Sequence, residues 1–135
     1  YGDIFLEDLK SYREELHQDL NIDLHYPLWK HDTRELIEEF IGLGFKAIPI
    51  CINASKLDLS FLGREIDMDF LNDLPKHIDP CGENGEFHTF VYDGPIFSSP
   101  IPYKKGTVVK KDYSTSQDDS KRWDSTFWYL DLLPK

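Results

Sequence analysis

Ala47 to Ile52, reading Ala-Ile-Pro-Ile-Cys-Ile, is a nearly continuous apolar run of strand length, and it limits the possible folds more than any other segment. A strand with one wet face alternates apolar and polar residues, whereas an unbroken run belongs to a strand covered on both faces. The stretch before it offers that cover. Asp32 followed by Glu35 makes a capping box, Leu36, Ile37, Phe40 and Ile41 form one apolar stripe, and Gly44 closes the pattern, which predicts a helix from Thr33 to Leu43. Upstream, Tyr26 to Trp29 reads as a short buried strand that stops at Lys30-His31-Asp32. The first half is therefore expected to be α/β, a strand-helix-strand unit whose two strands are parallel neighbours joined by a right-handed crossover.

The remaining elements follow from caps, periods and breakers. Asp3 is placed to cap a first helix whose buried face would be Phe5, Leu9, Tyr12 and Leu16. Asp67 is placed to cap a short helix through Phe70 and Leu71, which Pro75 ends. His77 to Glu86 has no period and reads as a loop, while Phe87 to Asp93 reads as a strand closed by Gly94-Pro95. Beyond it come Pro95, Pro100, Pro102 and a polar stretch from Lys110 to Arg122. The β-prone run from Thr126 to Leu130 comes last. This second half is expected to be antiparallel and loop-rich.

Composition removes several function classes. With 135 residues, 40% of them hydrophobic and 14% aromatic, the chain can build a real core. Lys and Arg number 15 against 25 Asp and Glu, and the net charge of -10 opposes the phosphate neutralisation that nucleic-acid affinity needs. No apolar run approaches the roughly 20 residues that span a bilayer, and Tyr1-Gly2-Asp3 does not resemble a signal peptide, so a soluble, cytoplasmic protein with no membrane or nucleic-acid partner is expected. Cys51 and Cys81 sit in an apolar run and beside a glycine, and both are expected to be reduced. The first segment reads like the interior of a fold, as in a fragment of a longer protein.

The stretch richest in chemistry is Asp79-Pro80-Cys81-Gly82-Glu83-Asn84-Gly85-Glu86-Phe87-His88-Thr89, running on to Asp93-Gly94-Pro95. Glu83 and Glu86 flank Asn84-Gly85, and a strand begins at once, which describes a tight turn whose backbone can take positive φ and bring both carboxylates to one side. Such a pair can hold a cation, orient an amine, or act as acid and base if burial separates their pKa values. The plainer alternative is a surface turn with two solvated glutamates, and spacing alone favours it.

The same stretch resembles the signature of the diphthine ammonia ligase family, in which a Glu-Gly-Gly-Glu turn is followed by an aromatic residue, Glu-Thr, and a strand ending in Asp-Ala-Pro. Glu83, Gly85, Glu86, Thr89, Asp93 and Pro95 match, Phe87 supplies the aromatic residue, and Asn84, His88 and Gly94 depart from the pattern. Gly2-Asp3-Ile4, Pro27-Leu28-Trp29 and Leu62-Gly63-Arg64 extend the likeness over about residues 1–97.

The resemblance implies an ATP-dependent amide-forming enzyme of the adenine nucleotide alpha hydrolase group, with a Ser-Gly-Gly-x-Asp-Ser phosphate loop (PP-loop) in an amino-terminal lobe. ATP, with magnesium as its companion, would adenylate a carboxylate acceptor, carried in the family on a translation factor, and ammonia would displace AMP. No Ser-Gly-Gly occurs in this sequence, so ATP is expected to bind mainly outside the chain. Residues 1–53 would then end the nucleotide-binding lobe or bridge to it, and 54–135 would form the substrate lobe. By the same resemblance Glu83, Glu86 and His88 are the catalytic candidates, and Gly82, Asn84, Gly85, Thr89, Asp93 and Arg64 the substrate-binding ones. His88 exchanges a permanent acceptor for a group that can be donor, acceptor or cation, so the acceptor substrate can differ from the family's.

Other sites are weaker. Cys81, His88, Cys51 and His77 fit no zinc spacing, and no metal site is expected. Acids beside Cys81 should raise its thiol pKa and blunt its reactivity. Arg34, in the first turn of a helix, reads as a solvated residue or a phosphate ligand. A different class also fits: a non-catalytic interaction or oligomerisation module, with the aromatic segments Phe97 to Tyr103 and Trp123 to Tyr129 as a homo-oligomer surface.

Overall fold

The computed structural model describes residues 1–113 and 126–135. Helix α1 spans Glu7–His17, α2 Thr33–Gly42 and α3 Met68–Asp73, with a short 3-10 turn at Leu59–Phe61; the strands are β1 (Lys46–Asn53), β2 (Phe87–Asp93), β3 (Tyr103–Asp112) and β4 (Thr126–Pro134). The strands form one sheet in the order β2-β1-β4-β3, and every pairing is antiparallel. The class is mixed α/β.

The parallel strand-helix-strand unit expected of the first half is not formed. Tyr26 to Trp29 is a turn: the Tyr26 carbonyl accepts the Trp29 N–H at 3.1 Å with Pro27 between them, and Lys30 follows at φ 65°. Proline's fixed φ and missing N–H suit the second position of a turn and deny a strand one of its ladder bonds. The unbroken apolar run of β1 does mark a strand buried almost throughout, but the cause is its central place in the sheet, between β2 and β4. Burial on two faces does not specify the direction of the neighbours.

Local signals held where caps are local. Asp32 accepts the Glu35 N–H at 3.0 Å at the start of α2, and Asp67 accepts the Phe70 N–H at 2.7 Å at the start of α3. Ile37 of α2, Ala47 and Ile52 of β1, Phe70 and Leu71 of α3 and Phe87 of β2 meet in one core, where Phe70 stands edge-on to both Phe61 and Phe87. The antiparallel second half formed as expected, but it includes a strand, β3, where the sequence carried no strand signal. Lys110 to Asp112 belong to that strand; the rest of the polar stretch from 114 on, and Trp123, lie outside the described residues.

α1 departs from expectation. Its N-cap is Leu6, with no side-chain cap, and Asp3 instead pairs with Arg13, whose Nε donates at 2.7 Å and Nη2 at 3.3 Å. The helix buries none of its residues: Leu9 is 42% exposed, and Tyr12 and Leu16 are each 60% exposed. Among the described residues no helix is long and apolar enough to cross a membrane.

Candidate functional site

Two left-handed glycines shape the loop between α3 and β2. Gly82 (φ 75°) and Gly85 (φ 71°) close consecutive turns, with the Gly82 N–H on the Asp79 carbonyl at 2.9 Å and the Gly85 N–H on the Gly82 carbonyl at 3.1 Å. Asp79 ties the loop down. Its Oδ1 accepts the N–H groups of Cys81 (2.9 Å) and Glu83 (3.2 Å), and its Oδ2 accepts the Thr33 hydroxyl at 2.7 Å.

The two glutamates of the turn end in different places. Glu83 lines an open cleft of about 260 Å³ with Asp3, Leu6, Leu9, Cys81, Gly82, Gly85, Phe87, His88 and Thr89. Glu86 is 1% exposed and lies beneath the turn, where its Oε1 accepts the Asp79 N–H at 3.2 Å and its Oε2 has no partner among the described residues. Its carbonyl accepts the Asn53 N–H at 2.8 Å, joining the turn to the end of β1. Asn84 is at the exposed tip, and its carbonyl accepts the Lys56 ammonium at 2.7 Å.

Of the residues singled out by sequence, the cleft therefore gathers Glu83, His88, Gly82, Gly85 and Thr89. Asp93 sits at the far end of β2, opposite Lys46, with its carboxylate on the Gly94 N–H. Arg64 pairs with Asp73 at 2.7 Å and lies over the rings of Phe61 and Phe70. Arg34 is engaged by Glu38 at 2.5 Å. No group of three or more potential metal ligands occurs among the described residues. Sequence reasoning did not assign Asp3 and Asp79 to the site; the only pointer to Asp3 was its place in the Gly2-Asp3-Ile4 match.

The electrostatics of the cleft are those of crowded acids. Burial pushes the Glu83 carboxyl above the ordinary glutamate range; the Ile4 backbone N–H opposes the shift, and Asp79, Asp3 and Glu86 add to it. Burial likewise pushes the Cys81 thiol up to about 12, with Asp79, Glu83 and Asp32 adding to it, and the S–H donates to the Thr33 carbonyl at 3.2 Å. Cys51, also a free thiol, is buried and shifted upward. A nucleotide's phosphates need backbone donors or free cations. This cleft presents Asp3 and Glu83, and Arg13 is already engaged by Asp3, so it does not fit the phosphates of ATP.

The cleft lies beside a Glu-x-x-Glu turn at the outer strand β2 of a mixed α/β domain. Residues 32–132 match the family described as the diphthamide synthase C-terminal domain, and the chain belongs to that family. It is 34% identical over 95 residues to the diphthine–ammonia ligase of Bos taurus and 33% identical over 95 residues to that of Homo sapiens, in each case covering 67% of this chain and 36% of the relative. To the diphthine–ammonia ligase of Schizosaccharomyces pombe it is 34% identical over 87 residues, 62% of this chain and 14% of the relative. The chain thus spans about a third or less of these relatives' length.

Proposed function

We propose that this chain is the acceptor-side part of an ATP-dependent, amide-forming ligase, working with an amino-terminal lobe that binds the nucleotide. The observation that carries the reading is the cleft itself: Glu83, His88, Thr89 and Asp3 line one cleft, and Glu86 is buried as support of the turn. The acceptor is a carboxylate, as on a translation factor, and the nitrogen donor is ammonia.

Besides meeting the acceptor, the chain would prepare the nitrogen donor. Ammonia is mostly ammonium at neutral pH and must shed a proton before it can attack a carbonyl carbon. Two carboxylates attract the cation, and a carboxyl raised above the usual range is a stronger base than an ordinary one, which supports Glu83 as the proton acceptor. His88, exposed at the start of β2, can pass the proton on or bond the acceptor. Gly82, Gly85 and Thr89 shape the wall that the acceptor meets. Glu86 acts through the turn it supports.

The test compares this chain with a longer protein that includes the amino-terminal lobe. The short chain should neither bind ATP tightly in calorimetry nor release pyrophosphate, and the longer one should do both. In the longer protein Glu83→Gln should leave ATP binding intact and lower amide formation by roughly 10²–10⁴-fold. Pyrophosphate release by the short chain, or full amide formation by the Gln variant, would overturn the reading. The exposed row Leu9, Tyr12 and Leu16 favours a second reading, a non-catalytic interaction module, and a longer protein inert toward ATP would support it.

A further inference from the structure

We propose that Asp79 is the positioning residue of this cleft: held by Thr33 of α2, its carboxylate fixes the backbone of Cys81 and Glu83 so that the Glu83 side chain stands in the cleft. The inference deepens the ligase reading and rests on it only for the role of Glu83.

Asp79 uses every polar group it has. Oδ2 takes the Thr33 hydroxyl at 2.7 Å, Oδ1 takes two loop N–H groups, and its own N–H is held by the buried carboxylate of Glu86 at 3.2 Å. A surface aspartate closing a simple turn would use one oxygen on a neighbouring N–H. Here one residue joins the first residue of α2, the turn and the head of β2. The site suits an anion, because the first turn of α2 carries the positive end of the helix dipole. The Cys81 thiol, donating to the Thr33 carbonyl at 3.2 Å, makes a second tie between the same two segments. Without the clamp, the side-chain ties left to the loop among the described residues are Lys56 on the Asn84 carbonyl, Glu86 on the Asp79 N–H and Cys81 on the Thr33 carbonyl.

The clamp also adds charge. The groups bearing on Glu83 are Asp3, itself paired with Arg13 of α1, the Ile4 N–H, Asp79, Glu86 beneath the turn, and Cys81 and His88 along the cleft wall. Asp79 raises the Glu83 carboxyl, after burial and against the Ile4 bond. Positioning and charge separate by substitution. In Asp79→Asn the amide oxygen still accepts from Cys81 and Glu83 and the amide nitrogen can donate to the Thr33 oxygen, but the charge is gone. Asp79→Ala removes both.

Nuclear magnetic resonance on the 135-residue chain reads each effect without any assay of activity. Asp79→Asn should preserve slow exchange at the Cys81 and Glu83 amides and lower the titration midpoint of the Glu83 carboxyl. Asp79→Ala should speed exchange at those two amides by about tenfold or more while β1 and β2 remain protected. Thr33→Val, which removes only the Oδ2 bond, should fall between the two and serves if the alanine variant does not fold. An unmoved Glu83 midpoint in Asp79→Asn, or unchanged exchange in both Asp79→Ala and Thr33→Val, would overturn the proposal. Failure of the ligase reading shows separately, as a longer protein in which Glu83→Gln makes amide at the normal rate.

Discussion

Gly82 lies against Phe87 so closely that a Cβ on the glycine would stand 2.9 Å from the Phe87 carbonyl oxygen and 3.2 Å from its ring. At Gly85, with nearly the same left-handed φ, an added Cβ would meet nothing within 4 Å. The two substitutions therefore separate strain from crowding. Gly85→Ala should cost about 1–2 kcal/mol from the left-handed backbone alone. Gly82→Ala, which adds a clash with backbone at the head of β2, should cost about 2–4 kcal/mol. Urea unfolding of both variants checks the order, and equal costs would mean that the loop gives way around Gly82.

Glu83 makes stability depend on pH in a defined direction. Its folded-state carboxyl is raised above that of the unfolded chain, so the folded state binds the proton more tightly. The associated stability is fully present below the ordinary glutamate value of about 4.3 and is lost as pH rises through the raised folded value. Glu83→Gln has no proton to lose. The variant should unfold at higher urea than the parent at neutral pH, and the advantage should shrink when both are compared below about pH 4. A Gln variant less stable than the parent at neutral pH would place the loss in packing or in the Ile4 hydrogen bond instead.

Cys81 should be a slow thiol. With its pKa pushed up to about 12, little thiolate exists at neutral pH, although the residue edges the cleft. Alkylation of the folded chain, followed residue by residue by mass spectrometry, should run more than about a hundredfold slower at Cys81 than in the urea-unfolded chain. Rapid labelling of Cys81 in the folded protein would mean that the acids around it are neutralised or displaced.

The sequence made legible what is decided within a few residues. Asp32 with Glu35 and Asp67 with Phe70 are caps formed inside one turn, and α2, α3 and β2 appeared where those signals put them. Strand direction is not local. Nothing in Ala47 to Ile52 records that its neighbours would be β2 and β4, both antiparallel, and Tyr26 to Trp29 has the composition of a strand but the proline of a turn.

The site was half legible for the same reason. The motif pointed to both Glu83 and Glu86, but the left-handed Gly85 between them turns one toward the cleft and the other under the loop, a reversal that residue types do not encode. Asp79 stood at the head of the motif stretch but received no role, because Thr33, its partner in the clamp, lies 46 residues away in sequence. The helical period of Phe5, Leu9, Tyr12 and Leu16 correctly announced a helix, but period alone does not say whether an apolar stripe is covered within the same chain.

The position of β3 at one margin of the sheet has a consequence for how the molecule behaves in concentrated solution. A strand with only one neighbour leaves a row of amide groups able to recruit a stray strand from another molecule, the first step toward fibrous deposits. β3 carries Lys104, Lys105, Lys110 and Lys111, and a bulge between Lys105 and Val108 breaks its regular spacing. A like strand arriving alongside would have to bring its own ammonium groups against these, on a ladder out of step with its own. The lysines that make this strand look unlike a strand in sequence are the ones that guard its open margin against such pairing.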